Sequence, residues 1–344
     1  MAALSVAPLT APLDALRSLV LRAFAGTFSR WITDRERRVN VVSIVGMFVS
    51  LTVTLGAPLW LLALGPVVFG AAHLASDLRY LVVQPALHRR WQAWLLIATP
   101  LALGALTSMG SRALALSAVG GALAARRSSW WRFALAICMS IALCVAFFSW
   151  QRAAELVVAH AHNFIAVLLW LAWRPRARLG HWLVALVFVA INAALLSGAL
   201  DAVITAVHGF SRGPEGLTLG GQMMTLAPFP EHIDRSRRMV LSFAFSQSVH
   251  YALWLRAIPE MARRSKTPRS FRQSVRSLEA ESSPLVVTLA VLACAGLALW
   301  ACFDLLRARE GYLRFVLFHG YLEIAVALML FVEGRRPSSS EAAA

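Results

Sequence analysis

The sequence is short of charge. Only 15% of its 344 residues are Asp, Glu, Lys or Arg, whereas 59% are hydrophobic. A soluble domain of this length needs a far larger polar share, because its surface grows nearly as fast as its mass. Cysteine is scarce as well. Cys138, Cys144, Cys294 and Cys302 all lie in apolar runs, and none forms a C-x-x-C pair. Neither a thiolate metal cage nor a disulfide framework is expected, so they read as small apolar packing residues. No Walker loop, G-x-S-x-G elbow, H-E-x-x-H or dinucleotide fingerprint occurs, so several familiar soluble chemistries lack their motifs. Acids are few: 17, against 33 Lys plus Arg, for a formal net charge of +16. No zinc-finger or RNA-binding signature accompanies that excess. The arginines fall in short runs between apolar segments, which points to anionic headgroups and not to nucleic acid.

What is present is a series of apolar runs, several of them near the roughly 20 residues that cross a bilayer core as a helix. The expected fold is an all-α, polytopic membrane helical bundle of about ten transmembrane helices. A β-barrel would instead show alternating segments of about ten residues. The spans fall approximately at 40–62, 64–85, 93–109, 112–125, 132–150, 153–173, 182–206, 238–258, 285–305 and 312–333, the fourth being short. Arginine marks every second connection: Arg35, Arg37 and Arg38; Arg89 and Arg90; Arg126 and Arg127; Arg174 to Arg178; the run RRSKTPRSFRQSVR at 263–276; Arg335 and Arg336. The intervening connections are poorer in it, apart from DRSRR at 234–238. The positive-inside rule therefore places both termini in the cytoplasm, as in a bacterial inner membrane. Trp130, Trp131, Trp150, Trp173 and Trp182 fall near span ends, where interfacial aromatics belong.

Residues 1–38 lack a basic start before an apolar run. They read as a cytoplasmic amphipathic segment and not as a signal peptide. Residues 39–334 form the transmembrane domain, and 335–344, ending SSSEAAA, are expected to be disordered. Two connections are long. The external one, 207–237, contains GLTLGGQMMTLAPFPEHID and reads as a lid or substrate entry. The basic, Ser-rich one at 263–276 is expected to be flexible and lipid-facing.

Five of nine histidines lie within spans: His73, His160, His162, His250 and His319. Polar groups inside a membrane are costly and face cavities or the bundle interior. All five sit on even-numbered spans, which run in one direction under the topology above. Each lies about 7 to 11 residues from the external end, or roughly 10–17 Å deep. The rings can therefore share one layer. Asp77 follows His73 by four residues and Glu323 follows His319 by four, so HLASD and HGYLE each present an imidazole and a carboxylate on one helix face. That donor set suits iron, zinc, copper or manganese, with a carboxylate either binding directly or orienting a ligating histidine. His160 and His162 point about 200° apart on an ideal helix. One would be a ligand and the other a supporting residue, with His160 marginally preferred. Asp77 and Glu323 could also carry protons. Arg79 is expected to reach toward the cytoplasmic interface, Asn163 and Asn192 to join helices, and Asp201 and Asp304 to be solvated.

The segment Gly70-Ala71-Ala72-His73-Leu74-Ala75-Ser76-Asp77 resembles the early G-x-x-H-G-x-x-D motif of the Brp/Blh family, membrane β-carotene 15,15′-dioxygenases. FAFSQSVHYALWLR around His250 resembles that family's aromatic helix with H-x-x-x-H. Leu74 stands where the family has glycine, and Trp254 where it has its second histidine. The resemblance implies a histidine-ligated non-haem iron and oxidative chemistry on an isoprenoid or other lipid-soluble substrate. Three alternatives stay open. One is a zinc-dependent lipid hydrolase of the ceramidase type, and another is a proton-coupled transporter using the histidines and acids as a relay. The third is a haem protein with bis-histidine ligation.

Overall fold

The computed structural model describes residues 5–107, 110–126, 129–172, 179–227, 229, 231–263 and 269–335. Among them every regular element is helical. In chain order the helices are α1 (Ala11–Thr33), α2 (Arg35–Gly56), α3 (Pro58–Val83), α4 (Trp91–Leu106), α5 (Gly110–Ala124), α6 (Trp130–Ser149), α7 (Gln151–Ala172) and α8 (Leu179–Ser197). There follow α9 (Leu219–Leu226), α10 (233–262), α11 (Phe271–Ser282), α12 (Pro284–Phe303), α13 (Leu305–Phe315) and α14 (Phe318–Glu333). Seven segments are long and apolar enough to cross a membrane: α2, α3, α6, α7, α8, α12 and the run Leu305–Glu333 that joins α13 to α14. The other three expected spans are also helices. They fall short of that measure because α4 and α5 are brief and α10 is more polar, opening with Asp234, Arg235, Arg237 and Arg238 and carrying Ser246, Gln247, Ser248, His250 and Tyr251 farther on. In α12 only 6% of the most apolar stretch is buried within the protein. A surface that apolar is stable against acyl chains and not against water.

The short fourth span has a physical reason. At 15 residues, α5 is about 22 Å long, less than the roughly 30 Å of a bilayer core. It is central: Ala113, Leu114, Ala115, Ala118 and Ala122 have almost no exposed surface. Its small residues let neighbouring backbones close in. A Cβ on Gly120 would stand 1.6 Å from the Leu96 carbonyl oxygen of α4, and one on Gly121 would stand 2.2 Å from the Ala325 carbonyl of α14. The Leu96 carbonyl lacks its α-helical partner because Pro100, four residues on, has no N–H. The Thr99 hydroxyl bonds to the Trp94 carbonyl at 3.1 Å in the same turn.

The basic connections gather at one end of the bundle. Glu333 accepts from Arg90 at 2.5 Å and from the Arg126 backbone at 3.0 Å. Glu260 meets Arg38 and Arg263. The segment expected to be flexible is in part a helix, α11, tied at three places. Arg79 donates to Glu281 at 2.6 and 2.9 Å, and Asp14 of α1 accepts from the Phe271 and Arg272 backbone at 2.6 and 3.1 Å. Glu279 accepts from the Ser5 hydroxyl at 2.9 Å and the Val6 backbone at 3.0 Å. Ser270 and Gln273 close a capping box at its start. Residues 264–268 of that segment lie outside the described residues; from Phe271 onward helix-start chemistry outweighs charge and Ser content. The disordered tail expected beyond Arg335, and the arginines at 174–178, lie outside the described residues.

Candidate metal centre

The chain is irregular where it carries His73, His250 and His319. In α3, π-helical turns at Pro66–Gly70 and Leu78–Val83 flank the ordinary helix Ala71–Asp77, which bears His73 and Asp77. In α10 a third π turn, Leu253–Ala257, begins three residues after His250. A π turn adds a residue to the helical circuit and re-aims the side chains around it. The last span breaks at Val316–Leu317, immediately before α14 and His319. At that break the Val316 carbonyl accepts from the His319 backbone N–H at 3.0 Å and from His319 Nδ1 at 2.6 Å. With Nδ1 carrying the proton, Nε2 of His319 is left as a lone pair.

These elements converge. His73 Nε2 and His250 Nε2 face each other at 2.6 Å. Asp77 Oδ2 is 3.3 Å from His73 Nε2, and Glu323 Oε1 is 3.6 Å from His250 Nε2. The His319 ring lies across that of His73, centroids 5.1 Å apart and planes near perpendicular. His73, His250, His319 and Glu323 each offer one donor atom, and all four atoms lie within 4.8 Å of one another. Two donors bound to one first-row ion at about 2.0–2.1 Å are roughly 3 Å apart at right angles and 3.4 Å apart in a tetrahedron. The observed separations bracket those values, so the group can hold a metal.

Charge supports the same conclusion. Asp77 and Glu323 are fully buried, and His73 and His250 nearly so. Among the described residues neither acid pairs with an arginine; their close ionic neighbours are His73 and His250. Both Asp77 oxygens and His73 Nδ1 have no hydrogen-bond partner. Two uncompensated carboxylates deep in a bundle are costly. A divalent cation between them would offset both charges.

His162, and not His160, faces this cluster. Its ring centroid is 5.0 Å from that of His250 and 5.5 Å from that of His319. His160 turns away, as the i, i+2 spacing requires, and its Nε2 donates to the Leu226 carbonyl at 2.9 Å. The preference for His160 is therefore reversed: it fastens the end of α9. Arg152, also on α7, donates to the Met224 and Thr225 carbonyls at 2.7 and 2.9 Å, so two α7 side chains satisfy the last carbonyls of that helix. Arg79 reaches Glu281 and not Asp77. Asn192 joins α8 to α10, accepting from Ser242 and Ser246 at 2.7 and 2.9 Å, whereas Asn163 donates within its own helix to the Ala159 carbonyl. Asp201, expected to be solvated, accepts from Arg238 at 2.7 and 3.0 Å, and Asp304 caps α13 through the Arg307 backbone at 3.0 Å.

Aromatic side chains flank His73. Tyr251 places its ring edge-on to His73 at 5.2 Å. Trp254, in the place of the expected second histidine, lies 6.3 Å from His73. Arg309 of α13 donates to the Leu62 carbonyl at 2.8 Å and reaches Gln222 of α9 at 3.5 Å. No motif flagged it. No family model, curated protein or solved structure matches the chain, so the site stands on its own geometry.

Proposed function

We propose that this protein is an integral-membrane metalloenzyme, an iron-dependent oxygenase or oxidase acting on an isoprenoid or other lipid-soluble substrate. The observation that carries the reading is the meeting of His73, His250, His319 and Glu323 around one volume, with Asp77 against His73. Four protein donors leave two positions open on a six-coordinate ion such as iron, room for oxygen and a substrate. The same four would close a tetrahedral zinc ion, and a hydrolytic zinc needs an open position. The set therefore favours iron over the hydrolase alternative. The His73 and His250 nitrogens, 2.6 Å apart, leave no slot for a porphyrin between them. A transport relay would spread its groups in depth, whereas these are clustered.

When bound, the metal would polarise oxygen. The protein's share is to hold it, to exclude water with Tyr251, Trp254 and the neighbouring aromatics, and to hold or release a proton at Asp77, which has a free oxygen beside His73. The resemblance of GAAHLASD to the Brp/Blh motif agrees with this assignment. Both termini would face the cytoplasm, with α9 on the opposite side.

Elemental analysis and oxygen uptake of the detergent-purified protein test it. Wild type is expected to carry about one iron per chain, and His73→Ala and His250→Ala a small fraction of that. Negligible metal in wild type overturns the proposal, and zinc without oxygen uptake transfers it to the hydrolase.

A further inference from the structure

A cleft of about 400 Å³ runs along the outside of the bundle between α3, α4 and α14. Leu78, Leu101, Ala102, Phe318, Leu322 and Val326 line it, and His88 is the one ionisable residue in its wall, beside Trp94 at one end. Ala102, Ala105 and Leu106 are exposed, so the cleft opens sideways to the surroundings of the bundle, which in a bilayer are acyl chains.

Its wall is contiguous with the metal centre. Phe318, Leu322 and Val326 recur every four residues and form one stripe of α14; His319 and Glu323 are each the next residue and form the adjoining stripe, about 100° round the helix. On α3 the same relation joins Leu78 to Asp77. Cleft and site therefore share α3 and α14, on neighbouring faces of each helix.

We infer that this cleft seats a single hydrocarbon chain of the substrate, presenting one stretch of it to the metal centre past Phe318 and Leu322. The inference rests on the metalloenzyme reading and narrows its substrate class. From Trp94 to Leu106, α4 rises about 18 Å. That suits an extended fatty or isoprenoid chain lying along α4.

Photolabelling tests this with a diazirine-bearing palmitic acid added to the purified protein in lipid nanodiscs. Labelled peptides are expected to concentrate in residues 94–106 and 318–326. Ala102→Trp, which fills a lipid-facing part of the cleft, should cut labelling at least fivefold, whereas Leu292→Trp on exposed α12 should not. Unlabelled dodecanol and farnesol should compete. Label spread evenly over the lipid-facing helices, or indifference to Ala102→Trp or to these competitors, overturns the inference. Chelator-stripped wild type separates the two proposals. Labelling should persist there, and a protein that labels as described yet never carries metal keeps the cleft and loses the enzyme.

Discussion

At the scale of single residues, the acid beside His73 and the two histidines of α7 have separable roles. Asp77→Asn keeps the shape but removes the charge that faces the His73 imidazole at 3.3 Å. Metal affinity should fall by roughly 10–100-fold, the usual range for an orienting carboxylate, measured by competition with a chelator of known affinity. His160→Ala should retain full metal, since its ring bonds to the Leu226 carbonyl and not to the cluster; its effect should be faster amide exchange across α9. The pairs His73–Asp77 and His319–Glu323 were legible because four residues on a helix always share a face. The choice between His160 and His162 was not. Spacing shows that the two diverge, but how α7 is rotated in the bundle depends on contacts made by residues distant in the chain.

At the scale of elements, the ten expected spans were readable as apolar runs, seven of them long and apolar enough to cross a membrane, but the deviations that make the site were not. The π turns at Pro66–Gly70, Leu78–Val83 and Leu253–Ala257 carry no fixed sequence signature, and the break at Val316–Leu317 falls in a run as apolar as its neighbours. The central place of α5 was foreshadowed only by its brevity and its adjacent glycines. Gly120→Ala tests that place. The new methyl would collide with the Leu96 carbonyl, a backbone atom that cannot swing aside, so the substitution should destabilise by about 1–3 kcal/mol or more. Gly46→Ala in α2, where nothing lies within 4 Å, should be neutral or gain up to about 1 kcal/mol from lower chain entropy. Thermal unfolding of the two variants in one detergent reads the contrast.

At the scale of the whole molecule, the basic end is held together by acids that fasten separate segments. Burial pushes the Glu281 carboxyl up, but the hydrogen bonds and charge of Arg79 outweigh it and hold the group below the ordinary carboxylate range. A depressed value means that its stabilising contribution is full above the unfolded value of about 4.3 and is lost as pH falls through the lower folded one. Detachment of α11 should therefore begin below about pH 4, read as rising mobility of a spin label at Ser274→Cys in a variant without the native cysteines. Glu281→Gln should show the looser state at neutral pH as well. The tie from Ser5 and Val6 to Glu279 spans 274 and 273 positions of chain. Ribosomes add on the order of 5–20 residues each second. Ser5 and Val6 must then wait some tens of seconds for Glu279 to emerge, so this clasp is among the last contacts to close, and a bulky group attached near Ser5 would meddle with a late step of maturation.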